Sequence, residues 1–214
     1  MLATTTQPEE WTERQREVLD ATLALLIENA AGVTTIGVAR RASCSKETLY
    51  KWFGDREGLL SATVRYQASK VRVAPFDATD LDRQRLSDVL SGFASGLLGI
   101  LTSEVSVALN RLAISQADSK GKEQSKSLGA IVLENGRFST GPRLKPAIEA
   151  GMAQGLLAQG DSEEAFRTFY GLAIRDVQIR ILLGEDFSLS PDEIEAEANR
   201  ATQQFFTLYA VSTA

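Results

Sequence analysis

Residues 34–60 read TTIGVARRASCSKETLYKWFGDREGLL, and the spacing of apolar positions in that stretch admits short helices joined by tight turns and little else. Val38, Ala39 and Ala42 share a face of a first helix, with Thr35 placed to cap it. Ser43 and Cys44 make the turn, and Ser45 carries the hydroxyl that caps a second helix. At ~100° per residue, Leu49 and Phe53 fall on one side of this second helix while Glu47, Thr48 and Lys51 project from the other. Lys46, Tyr50 and Trp52 border the two faces. Gly54 and Asp55 end that helix and cap a third, with Glu57 in its first turn near the positive end of the helix dipole. A polar outer surface about two turns long, flanked by a cation, a phenol and an indole, has the size and chemistry to enter a major groove.

The chain carries a net charge of −5, which argues against nucleic acid until its distribution is considered. Within residues 30–72 eight cations face three carboxylates, a local +5, and the remainder carries −10. A basic patch on an acidic body attracts phosphates by its local field while the body keeps the chain in solution. Cys44 is the only cysteine, which excludes a disulfide framework or a thiolate zinc site within one chain and fits a reducing cytoplasm. With no secretory leader pattern and no apolar run of bilayer length, a cytoplasmic chain without a membrane partner is expected. There is no histidine, the commonest general base, and no phosphate-loop, dinucleotide, serine-elbow or metal-ligand spacing. No catalytic residue, metal or cofactor is therefore expected.

The same stretch resembles the DNA-binding domain of the TetR family of bacterial transcriptional regulators. In that family a Thr-led helix ends in Ile-Ala-x-x-Ala-Gly-Val-Ser, a Thr-Leu-Tyr-x-x-Phe helix follows, and Lys-Glu-x-Leu enters a long helix. Here those elements are Thr34, Thr35, Val38, Ala39, Ala42, Ser45, Thr48, Leu49, Tyr50, Phe53, Arg56, Glu57 and Leu59. Ser43 stands where the family has glycine, so the turn is reached without that backbone freedom. Cys44 replaces a valine, Gly37 costs the first helix ~1 kcal/mol relative to alanine, and Ile36 occupies a place where some relatives carry a base-reading arginine.

Residues 1–10 are polar and Thr-rich, with Pro8 and no apolar period, and a disordered tail is expected there. Beyond it the resemblance implies an all-α chain, with a three-helix helix-turn-helix DNA-binding domain (11–56) and a helical ligand-binding and dimerisation domain (57–214). On the second short helix Lys46, Thr48 and Lys51 supply groove-facing contacts, with Glu47 either accepting from a cytosine amino group or serving the helix dipole. By family position Thr35, Tyr50, Trp52 and Arg56 hold phosphates and set orientation, though Tyr50 and Trp52 also suit a domain core. Oxidation of Cys44 offers an alternative control, since Arg40, Arg41 and Lys46 stand near it in sequence. An activator, a helical adaptor and an enzyme are the other readings.

Around this stretch the pattern is helical throughout. A first helix begins near Thr12 and carries Val18, Ala21 and Leu25 beside Leu19, Leu23, Leu26 and Ala30, with a stop expected at Ala31-Gly32. The third short helix is the start of a long one running towards Arg72, before Pro75. Leu86 to Leu101 and Val105 to Ile114 give two further amphipathic segments; a polar stretch from Lys120 follows. A turn is expected at Asn135-Gly136, irregular chain from Phe138 to Pro142, and a helix from Leu144 to Ala158.

The last part divides into two helices. Asp161 opens one with the stripe Phe166, Tyr170, Ala173, Val177 and Ile181; Ser190-Pro191-Asp192-Glu193 opens the other with Ile194, Ala198, Ala201, Phe205 and Leu208. Periodicity leaves open whether these seams form the chain's own core or a face shared with a second chain. The resemblance implies the second: a homodimer through the last two helices, with two recognition helices ~34–36 Å apart on a palindromic double-stranded operator. It also implies repression relieved by a small-molecule effector of unnamed identity. Phe93, Leu97, Leu109, Leu112 and Phe138 are the candidate apolar lining of its pocket, and Asn110, Arg111 and Gln178 the candidate polar anchors. The C-terminal half is similar to that of AefR-like members of the family.

Overall fold

The computed structural model describes residues 11–28, 33–117 and 127–211. The expected tail at 1–10, the stop at Ala31-Gly32 and the polar stretch from Lys120 lie outside the described residues. All regular elements among those described are helical: α1 (Glu13–Glu28), α2 (Thr35–Arg41), α3 (Lys46–Phe53), α4 (Arg56–Ser69), α5 (Arg83–Leu101), α6 (Glu104–Ser115), α7 (Leu128–Val132), a π-helical turn (Leu133–Arg137), α8 (Phe138–Ala153), α9 (Ser162–Ile174), α10 (Val177–Leu182) and α11 (Pro191–Leu208). No single helix among them is long and apolar enough to cross a membrane.

By packing the chain falls into two compact units, and each draws on separated segments. The head unit comprises residues 7–70 and 103–139. Its core joins Val18, Leu19 and Leu26 of α1, Val38 of α2, Leu49 of α3 and Leu59 of α4 to Leu109 and Leu112 of α6 and Ile131 of α7. Thus α6 and α7 lie against α1 and α4 as part of the head's own core. A buried amide belongs to this packing: Gln67 donates from Nε2 to Ser103 Oγ at 3.4 Å and to Ser106 Oγ at 3.5 Å, and accepts from Lys70 Nζ at 3.0 Å. With its partners supplied inside the head, the amide tethers α4 to the start of α6.

The body unit comprises residues 71–102 and 140–214. Here α5, α9 and α11 pack on one another, with Phe93, Phe166, Phe169 and Phe205 among its fully buried side chains. Phe169 and Phe205 meet edge to face at 5.2 Å between centroids, a favourable aromatic geometry. Capping at Ser190 is reciprocal: its hydroxyl accepts from Glu193 N at 3.3 Å and its amide donates to Glu193 Oε2 at 2.8 Å, with Pro191 at the first helical position.

Several expected boundaries move. The long third helix ends at Ser69, short of Arg72, because the Lys70 amide turns back onto Gln67 and Val71 is buried in the body core. The turn at Asn135-Gly136 does not form. The π-helical turn takes up those residues, with Asn135 Nδ2 donating to Ile131 O at 3.0 Å and Ser139 Oγ to Gly136 O at 2.8 Å. Phe138 to Pro142 is helical, and α8 ends at Ala153. Pro142 and Pro146 each remove a backbone donor, yet buried Leu144, Ala147 and Ile148 hold the segment in a helix, so packing overrides propensity. The stripe expected from Phe166 to Ile181 breaks at Arg175, whose φ is 49°, splitting one helix into α9 and α10.

Candidate nucleic-acid interface

The order of caps fixes how α3 is presented. Thr34, not Thr35, caps α2: its hydroxyl accepts from Gly37 N at 3.1 Å, while Thr35 is the first helical residue and half-buried. The threonine pair gives either residue a capping hydroxyl, and only the extended backbone at Thr34 selects between them. Ser45 caps α3 as expected, accepting from Thr48 N at 3.1 Å, and its hydroxyl lies 3.0 Å from Thr48 Oγ1. Asp55 caps α4 through Gly58 N at 2.7 Å, after Gly54 has turned the chain at a φ of 82°.

Leu49 is 2% exposed and anchors α3 to the head core, which turns the opposite side of the helix outward. Lys46, Glu47 and Lys51 are exposed, and Thr48 is half-buried beside them. Lys46 Nζ sits 5.4 Å from the centroid of Tyr50, itself 40% exposed, so the two share the outer surface. Trp52 is half-buried, packs against the head core and meets Phe53 edge on at 6.3 Å. The aromatic pair is therefore divided, with the phenol outward and the indole partly in the core. Arg56 is exposed at the start of α4, and its Nε donates to Val33 O at 3.3 Å. Ile36 is 61% exposed on α2, a large apolar group left facing outward.

Glu47 is held below the usual carboxylate range by its own backbone amide and then by the Ser45 hydroxyl. Burial pushes the Cys44 thiol up, an effect partly offset by the Arg14 guanidinium. The nearby cation that acts on Cys44 comes from α1 rather than from the neighbouring Arg40, Arg41 or Lys46. Arg41 is instead paired with Glu28 at 2.6 Å. Arg14 also donates from Nη2 to the carbonyls of Ala42 and Ser43, the second at 3.0 Å. No periodicity or spacing connects Arg14 with residues 28 and 29 positions further along, so this contact is readable only from the fold.

The other expected sites are distributed differently. Phe93 and Leu97 lie in the body core, whereas Leu109 and Leu112 lie in the head core. Phe138 is 61% exposed, Arg111 is exposed, Gln178 is half-buried, and Asn110 donates to Ser106 O at 2.7 Å within its own helix. An amphipathic stripe carries no mark of which core it enters, which is why sequence grouped them. Of the expected dimer residues, Phe166, Ala173, Ala198, Ala201 and Phe205 are buried in the body's own core and have no surface left to give a second chain. Val177 and Ile181 are buried as well, Tyr170 and Ile194 are half-buried, and Leu208 is 64% exposed. Ile179 of α10 and Leu183, the residue that follows that helix as its C-cap, are exposed.

A family described as AefR-like transcriptional repressor, C-terminal domain, matches residues 88–211. A solved TetR transcriptional regulator from Agrobacterium tumefaciens is 44% identical, covering 93% of this chain and 95% of its own, with a TM-score of 0.75. A TetR-family regulator from Mesorhizobium loti, 24% identical over 92% of this chain and 97% of its own, shares the fold with a TM-score of 0.71. The HTH-type transcriptional regulator BetI of Paraburkholderia xenovorans is 43% identical over 54 residues, 25% of this chain and 28% of that protein. The chain thus spans little more than a quarter of that curated relative's length.

Proposed function

The chain belongs to the TetR family of transcriptional regulators, and from that premise we propose that it is a homodimeric repressor, released from a palindromic operator by a small-molecule effector. The observation that carries the DNA-binding part is the outward face of α3, where Lys46, Glu47 and Lys51 are exposed above a buried Leu49. Lysine suits guanine acceptor edges, and Thr48 suits several bases or the thymine methyl. Tyr50, Arg56, Thr35 and the edge of Trp52 serve phosphates and orientation. Such a protein acts by occupying DNA in the cytoplasm rather than by catalysis.

Pairing of two chains rests on apolar groups left at the body surface, Ile179, Leu183 and Leu208, rather than on the buried seam residues. Residues 11–56 remain the proposed DNA-reading part, and the chain beyond them the part that pairs and senses. An effector relieves repression if it binds better to a conformation whose two heads no longer match the groove spacing.

The test is a selection from randomised duplexes with the full-length protein, followed by a gel-shift series across salt concentrations. Enrichment of an inverted repeat with steep salt dependence is expected. Failure to prefer any sequence over random duplex overturns the reading.

A further inference from the structure

We propose that Arg14, on α1, is a positioning residue for DNA binding: its guanidinium holds the turn between α2 and α3 in the conformation that aims α3. This rests on the DNA-binding reading above. The end of α2 is closed by two backbone bonds, Ser43 N to Arg40 O at 3.3 Å and Cys44 N to Ala39 O at 3.0 Å. That is the pairing of a Schellman end, whose pivot normally calls for glycine. Here the pivot is Ser43 at a φ of 50°, a left-handed conformation in which a side chain is penalised.

The two closing bonds use the carbonyls of Ala39 and Arg40 and leave those of Ala42 and Ser43 to be met from elsewhere. Arg14 meets both with Nη2, while its Nη1 pairs with Glu17 on the same helix. The planar fork is thereby fixed at one end by a carboxylate and spans two successive carbonyls at the other. Because Ser45, the cap of α3, follows the pivot by two residues, any loosening of the turn displaces the start of the recognition helix. Arg14 acts in this role through the turn and touches neither base nor phosphate.

The experiment uses the full-length protein and a duplex selected with it from a randomised library. Arg14→Met is expected to weaken binding about tenfold while leaving the slope of log affinity against log salt unchanged. Adding Ser43→Gly to that variant should return most of the loss, since glycine adopts the turn unaided. Hydrogen exchange at the Ser43 and Cys44 amides should quicken in Arg14→Met and slow again in the double variant, with α4 amides unaltered. A slope shallower by about one charge makes Arg14 a phosphate contact and overturns the proposal. So does undiminished affinity, or a loss that Ser43→Gly does not recover. Should Arg14→Met fail to fold, Arg14→Lys, which keeps the charge but not the fork, is held to the same expectations. If the wild-type chain prefers no duplex, the DNA-binding reading fails by itself, and unchanged Ser43 and Cys44 exchange in the variant then refutes the staple.

Discussion

Lys51 and Thr34 show how differently single side chains contribute to the head. Lys51 is exposed and helps little with folding, so Lys51→Ala should leave the urea midpoint unchanged. It should weaken binding to a selected duplex by ~1–3 kcal/mol and relax preference at one base pair, as measured by competition with single-position variants. Thr34 caps α2, and Thr34→Ala should cost ~1 kcal/mol in denaturant unfolding, with Thr35→Ala costing less. Cys44 is partly buried with its thiol pushed up, which lowers the thiolate fraction available for oxidation. Duplex binding should therefore survive millimolar peroxide, and Cys44→Ala should titrate like the parent. A binding loss that Cys44→Ala abolishes would restore redox control as the working idea.

Elements were legible in the sequence where a cap and an apolar period agreed. Ser45, Asp55, Asp161 and Ser190 each announce a helix start, and the structure uses each as a cap. The outward set on α3 was also readable, because Leu49 and Phe53 leave only one side for the polar residues. What local rules missed are places where distant packing decides. Asn135-Gly136 is a good turn pair and Pro142 a good breaker, yet both are helical where buried neighbours demand it. Arg175 carries no breaker signal and still interrupts a helix; its guanidinium pairs with Glu197 of α11 at 3.4 Å. The Ser190 cap gives a pH test. Ser190's amide and hydroxyl hold Glu193 below its ordinary range, so its contribution is present above the unfolded pKa of about 4.3 and lost as pH falls through the lower folded value. Thermal melts between about pH 6 and pH 3 should show Glu193→Gln losing less stability on acidification than the parent.

At the scale of the whole molecule, the buried seams and the exposed apolar groups separate folding from pairing. Phe205→Ala should cost ~3–5 kcal/mol, read by chemical denaturation, because it empties the body core. Leu183→Asp combined with Leu208→Asp should leave the melting temperature within a few degrees while light scattering reports a single chain. The same variant should lose far more affinity for a duplex with two half-sites than for one with a single half-site, the signature of lost avidity. A double variant that remains dimeric places the interface elsewhere. The head's construction adds a constraint of another kind. Its core needs Leu109, Leu112 and Ile131 from α6 and α7 as well as the first four helices. A nascent chain therefore cannot complete its DNA-reading part when that part leaves the ribosome; apolar surface on α1 and α4 stays uncovered until synthesis has passed α7.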